Sequence, residues 1–224
     1  MFIKFQFDDA EKSLNIKWDS GHQSSYDYDW LLQRSFSSNN RQRYLKTYRP
    51  EKKLWSRNDF PESLKFFDFH EIITDDCVLK SWIEALAVNG IAMIKNTPNT
   101  RNEVRKIAER VGFIKKTHYG EEWFVEAKEQ STTYAYTSVE LQLHTDIPFY
   151  EYKPGVNMLH CLVQSKSQGG ANTILDAFYI ATKMQQEYPE YFNVLSRVQV
   201  NWSDIGHEVE GKPFHLVYRS PVIW

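Results

Sequence analysis

Leu141-Gln142-Leu143-His144-Thr145-Asp146-Ile147-Pro148 decides how this chain is read. Its first half alternates apolar and polar residues as a half-buried strand does, which places His144 and Asp146 on one side, two residues apart. An imidazole and a carboxylate then converge on one point. A second histidine from elsewhere would complete the facial triad of two histidines and a carboxylate, which leaves positions open on Fe(II) for a co-substrate and dioxygen. A bare His-x-Asp also arises by chance in soluble chains, where it is a satisfied surface or core pair. The surroundings therefore carry the decision.

A chain of 224 residues can bury a sizeable core. Aromatics at 15% and charged residues at 25% exclude a disordered or fibrous chain. A formal net charge of -2 and the lack of a long lysine-arginine block argue against a nucleic-acid partner. No apolar run reaches membrane-span length, so no membrane partner is expected, and Met1 to Phe7 alternates like a strand rather than a signal peptide. Cys77 and Cys161 are too few for a disulfide framework and read as buried thiols of an intracellular protein. Cytoplasm is the expected location, with an upstream targeting segment left open.

Residues 2–7 and 13–18 both alternate, and the polar residues between them supply a turn, so a hairpin is expected. Tyr26, Tyr28, Trp30, Leu31 and Leu32 add more apolar surface than two strands can bury. Residues 1–36 are read as a small β-rich unit and 37–63 as a linker, with Ser35 to Glu51 a linker or a solvated helix. From Thr74 the pattern turns to helix followed by strand. Asp75 or Asp76 caps a helix along which Val78, Leu79, Trp82, Ile83 and Leu86 form one stripe, and Asn89-Gly90 ends it. Ile91 to Ile94 is a short buried strand. Thr100 and Glu103 make a capping box for a helix that Gly112 stops, after which Phe113-Ile114 resumes the sheet. Further strands are expected at 156–162, 172–176 and 198–202, a turn at Gly169-Gly170, and helices at Ala177–Glu187 and Pro189–Arg197. The fold class is α+β, with strands dominating around the site.

Tyr119 and Trp123 stand four apart and Tyr136 eight before His144, close enough in a sheet for their rings to face one cavity. Such rings can hold a quaternary ammonium group through cation–π attraction, or they can be core aromatics. His160 and Cys161 are adjacent and point to opposite faces of a strand, so they do not make a zinc pair. Cys161 is read as core and His160 is left open. His22, His70, His118, His207 and His215 read as surface or structural.

Residues 117–176 resemble the γ-butyrobetaine hydroxylase and trimethyllysine hydroxylase branch of the Fe(II)- and 2-oxoglutarate-dependent (TauD-like) oxygenases. The resemblance is carried by Tyr119-Gly120-x-x-Trp123, Ala135-Tyr136-Thr137, Leu143-His144-Thr145-Asp146, Pro154-Gly155-Val156, Leu159-His160-Cys161-Leu162, Gly169-Gly170 and Asp176-Ala177-Phe178, in that order. Asp204-Ile205-Gly206 extends it and leans toward the butyrobetaine enzymes. Residues 1–36 are similar to the end of the branch's small β-rich N-terminal domain. Residues 64–224 would then be a partial double-stranded β-helix, or jelly roll, with flanking helices.

The resemblance implies Fe(II) with 2-oxoglutarate as co-substrate, and ascorbate as an auxiliary reductant. His144 and Asp146 would be iron ligands, Leu159 would lie against 2-oxoglutarate, and Tyr119, Trp123 and Tyr136 would line a cage for a trimethylammonium substrate. The reaction implied is hydroxylation of γ-butyrobetaine to L-carnitine, with trimethyllysine hydroxylation, and then a mitochondrial location, as the alternative. A homodimer is an inference of the same kind. Thr133 replaces a polar amide and Ile147 a common aromatic, which bears on substrate identity. The family's second iron histidine and its 2-oxoglutarate-binding arginine come from late strands. The chain is therefore expected to be C-terminally truncated and inactive as written. His207 and Arg219 are spaced like such a pair, but His207 reads as part of a polar turn. A rival of another class is a non-catalytic module that keeps the cage to bind methylammonium groups.

Overall fold

The computed structural model describes residues 2–126, 136–137, 139–166, 170–207 and 213–224. It divides into two compact units, Met1–Lys52 and Lys53–Trp224.

In the first unit Phe2–Asp8 (β1) and Ser13–Trp18 (β2) form the antiparallel hairpin that their alternation predicts, Phe5 facing Ile16 and Asp8 facing Ser13. The Asp8 carboxylate closes the turn by accepting from the amides of Ala10 and Glu11, both at 3.0 Å. Gln23–Asp27 (β3) joins the other side of β2. Two helices follow, Tyr28–Gln33 (α1) and Ser38–Tyr48 (α2), whose first turns are capped by the side chains of Asp27 and Ser37. The polar stretch before residue 51 thus forms a solvated helix, and none of the residues of α2 is buried.

The second unit has its core near its start. Phe60–Ser63 (α3) leads into Lys65–Asp68 (β4), then Phe69–Thr74 (α4) and Asp76–Asn89 (α5), and Ala92–Lys95 (β5) returns parallel to β4. Asp75 caps α5 through the Cys77 amide, and Gly90 ends it at φ 75°, a left-handed conformation that glycine adopts without a Cβ clash. Glu103–Val111 (α6) packs beside them. Phe69, Ile72, Trp82 and Ile107 are the buried centre, and Val78, Leu79, Leu86, Ile94 and Met158 pack around it. Trp82, Leu79 and Leu86 belong to the stripe read from the sequence. Ile83 is instead exposed.

The two downstream helices fall where the sequence places them, Ala177–Glu187 (α7) and Pro189–Arg197 (α8). Val200–His207 (β6) and Pro213–Ser220 (β7) then form an antiparallel hairpin.

Several expected elements do not form. Residues 141–148, 156–162 and 172–176 carry strand-like patterns, yet no strand is formed there. A strand needs a hydrogen-bonded neighbour, and among the described residues none pairs with these segments. Leu141, Leu143, Val156 and Leu159 are accordingly exposed, and so is Phe113, where no strand resumes. Thr100 donates its hydroxyl to the Glu103 carboxylate at 2.7 Å, and the helix starts after Asn102, which makes no side-chain cap, so the capping box is not made. His207 is the last residue of β6 rather than part of a turn. Cys77 and Cys161 are exposed, not buried. Cys77 sits in the solvated first turn of α5, and Cys161 in a segment that no strand covers. Thr133, Ala135 and Gly169 lie outside the described residues.

Candidate metal and cation site

His144 and Asp146 converge without a strand. The imidazole Nδ1 lies 2.7 Å from the backbone oxygen of Gln142, and Nε2 lies 3.1 Å from Asp146 Oδ1. A carbonyl only accepts, so Nδ1 carries a proton and donates it, and in the neutral ring Nε2 then turns its lone pair to the carboxylate. Two lone pairs at that distance repel unless a proton or a cation lies between them. Two donors about 2.1 Å from one divalent ion, at an octahedral edge angle of about 90°, stand about 3 Å apart. The observed 3.1 Å is that spacing, and it also suits a hydrogen bond from an imidazolium. Asp146 Oδ2 accepts from Asn157 Nδ2 at 2.8 Å, which leaves Oδ1 as the oxygen beside Nε2. Both side chains are about half exposed, so an ion can reach them from solvent. The donor set and its outer hydrogen bonds fit two corners of a nitrogen-and-carboxylate iron site. Among the described residues, no group of three or more His, Cys, Asp and Glu side chains is placed to hold a metal ion.

The rings gather next to this pair. Thr117 and Gly120 exchange backbone hydrogen bonds, each at 2.9 Å, in a tight turn with Gly120 at φ 95°. That turn presents Tyr119, whose ring stacks on Trp123 with centroids 5.2 Å apart and planes 28° from parallel. Burial pushes the Tyr119 phenol up to about 12, with further upward pressure from Asp204, Tyr136, Asp146 and Tyr150. Tyr119 is therefore within electrostatic reach of both the third ring, Tyr136, and the metal-pair carboxylate. Tyr136 is buried, which raises its own phenol. Leu159 is 78% exposed and is not packed into this group.

Other residues frame the site. His118, read as surface or structural, has a side chain only 6% exposed, and its ring centroid lies 3.9 Å from that of Tyr119. The Tyr150 hydroxyl accepts from the His118 backbone amide at 2.9 Å and lies equally close to Nδ1, while Nε2 is 3.7 Å from Asp204 Oδ2 on β6. Phe214 on β7 covers the imidazole at 4.4 Å, and Gly206 faces it, where a Cβ would come within 3.1 Å of the Phe214 ring. Asn157 stands between apolar neighbours in Val156-Asn157-Met158, and that isolated amide was its one signal in the sequence. Nothing local marked His118. Its partners lie at positions 150, 204 and 214.

His160, left open by the sequence, lies within electrostatic reach of Glu103. Hydrogen bonds from Lys106 and Thr100 hold the Glu103 carboxyl below its usual range, and His160 adds to this. His207 and Arg219 do not form a pair. His207 aligns with Pro213 and Arg219 with Asn201, which puts them at opposite ends of the hairpin, roughly 20 Å apart at about 3.4 Å per residue.

Comparison with known proteins adds an independent line. Human gamma-butyrobetaine dioxygenase is 33% identical over 196 residues, covering 87% of this chain and 50% of that protein. The gamma-butyrobetaine dioxygenase of Pseudomonas sp. (strain AK-1) is 31% identical over 94% of this chain and 52% of its own length. Bovine (Bos taurus) mitochondrial trimethyllysine dioxygenase is 30% identical over 95% of this chain and 49% of its own. The chain thus spans about half the length of the curated relatives it matches. The model of the taurine catabolism dioxygenase TauD, TfdA family matches residues 56–224, three quarters of the sequence. With a family-wide match of that extent around a convergent His-x-Asp, the chain belongs to the TauD/TfdA family of dioxygenases.

Proposed function

We propose that this chain forms part of an Fe(II)- and 2-oxoglutarate-dependent hydroxylase that converts γ-butyrobetaine to L-carnitine, and that residues 64–224 contribute to its jelly roll. The observation that carries the proposal is the 3.1 Å approach of His144 Nε2 to Asp146 Oδ1, with Nδ1 committed to Gln142. His144 and Asp146 would hold the iron. Bound Fe(II), with dioxygen and 2-oxoglutarate, supplies the oxidising power for C–H hydroxylation, while 2-oxoglutarate leaves as succinate and carbon dioxide.

The chain's own residues orient and exclude. Gln142 and Asn157 hold the two ligands at one spacing. Tyr119, Trp123 and Tyr136 would receive the trimethylammonium head, which offers no proton to donate and is recognised by ring faces. Neutral phenols serve that task, and Tyr119 stays neutral well above physiological pH. Leu159 would lie against 2-oxoglutarate. Ascorbate would keep the iron reduced, and a homodimer is the assembly in keeping with this reading. No helix among the described residues is long and apolar enough to cross a membrane.

The test is succinate release by the full-length enzyme with γ-butyrobetaine or trimethyllysine supplied singly. Faster turnover of γ-butyrobetaine is expected. Preference for trimethyllysine would transfer the proposal to that reaction and to a mitochondrial setting. Quenching of tryptophan fluorescence by either ligand without iron, and no turnover with it, would identify a non-catalytic methylammonium-binding module instead.

A further inference from the structure

The stacked pair Tyr119 and Trp123 sits on a short loop, and a short loop alone does not fix the angle between two rings. Helix α6 and the turn that leads into it reach that loop at two places. The Arg105 guanidinium donates through Nε to Glu122 and through Nη2 to Glu121, both at 2.9 Å, across 17 and 16 residues of sequence. These are the two residues immediately before Trp123. One residue beyond it, Arg101 lies over the Phe124 ring at 4.4 Å. Trp123 is thus bracketed by contacts from α6 on one side and, on the other, from Arg101 in the turn that leads into that helix. That helix is itself anchored in the core through Ile107, which is 3% exposed.

The guanidinium geometry matters here. Arg105 is planar and presents its donors in fixed directions, so engaging two successive carboxylates sets the orientation of the backbone that carries them. A lysine at the same place would keep the charge and lose the fork. Glu109, the third carboxylate on Arg105, is a neighbour one helical turn away on α6 itself, at 3.4 Å.

From this we infer that Arg105 is a positioning residue for the Tyr119–Trp123 ring pair, setting through Glu121 and Glu122 the geometry with which that pair meets a quaternary ammonium ligand. The ligand half of this statement rests on the cage reading above, whereas the positioning half does not. Two measurements on the whole 224-residue chain separate them. The first is the near-ultraviolet circular dichroism of the ring pair, assigned as the part of the spectrum that disappears in Trp123→Phe. The second is the apparent affinity for tetramethylammonium chloride, read by tryptophan fluorescence.

Arg105→Lys and Arg105→Gln should both lose the Trp123-dependent band and weaken tetramethylammonium about tenfold, the scale of one well-made cation–π contact. Glu109→Gln should change neither reading. Unchanged far-ultraviolet dichroism checks that α6 is intact. Retention of the band in both Arg105 variants would overturn the inference, even if affinity fell, because the ring pair would then keep its geometry without Arg105. Loss of the band in a protein whose wild type ignores tetramethylammonium would leave the positioning role standing and remove the cage.

Discussion

Asp176 and Trp55 are joined across 121 residues: the Trp55 amide donates to Asp176 Oδ2 at 3.0 Å. The other oxygen, Oδ1, accepts from the amides of Phe178 and Tyr179 and caps α7. One carboxylate thus fixes the start of a helix and ties it to a buried tryptophan, whose indole N–H in turn donates to the Asn89 oxygen at 2.8 Å. Asp176→Ala removes the cap and leaves the Trp55 backbone amide without its acceptor. A loss of about 1–3 kcal/mol is expected from those two effects. Urea denaturation followed by tryptophan fluorescence measures it, and an unchanged midpoint would show that the contact contributes nothing to stability.

Ile72 is fully buried at the centre of the helical core. Truncation to alanine leaves a cavity that Phe69, Trp82 and Ile107 cannot all close, because each is held by its own element. Ile72→Ala should cost about 2–5 kcal/mol. Ile83→Ala, on the exposed side of α5, is the matched control and should stay within about 0.5 kcal/mol. Similar losses for both would mean that the apolar stripe of α5 faces otherwise than described.

The Tyr119 phenol titrates abnormally. Its raised value means that the folded state favours the neutral form. The associated stability is complete below the ordinary tyrosine value near 10 and is lost as pH climbs from there through about 12. In an alkaline titration followed at the phenolate absorbance, Tyr119 should ionise late, and Tyr119→Phe should remove a transition near pH 12. Removal of a transition near 10 instead would place the ring in solvent and away from Asp146 and Asp204.

How much of this was legible in the sequence differs by element. Helices α5, α7 and α8 were readable because their stripes and stop residues are local: Gly90 ends α5 and Pro189 opens α8. The β1–β2 hairpin was readable for the same reason, since its turn residues carry their own hydrogen bonds. Leu141 to Ile147 alternates just as clearly and forms no strand, because alternation states which side chains could share a face and not whether a neighbour exists to pair with. The convergence of His144 and Asp146 arises instead from a local contact, the imidazole bonding back to the Gln142 carbonyl two residues earlier. His118 was unreadable for the opposite reason. Its burial depends on Asp204 and Phe214, which the β6–β7 hairpin carries, and on Tyr150 from a separate loop, all far from it in sequence.

Asn157 offers the sharpest test of the metal pair. Its amide donates to Asp146 Oδ2, which turns Oδ1 toward His144 Nε2. Without that donor the carboxylate can rotate, and the two ligand atoms no longer hold the spacing of an octahedral edge. Groups that orient a metal ligand typically affect affinity by about 10–100-fold. Asn157→Ala should therefore weaken Mn(II), used as an air-stable stand-in for Fe(II) and followed by loss of its free-ion paramagnetic signal, by about tenfold. His144→Ala and Asp146→Ala should abolish the same binding. The wild-type affinity of this chain should itself be modest, since only two ligands are in place among the described residues. If Asn157→Ala bound Mn(II) like wild type while Asp146→Ala did not, the carboxylate would be held by something other than Asn157. If all three variants bound like wild type, the ion would sit elsewhere, and the 3.1 Å pair would be an ordinary imidazolium–carboxylate hydrogen bond.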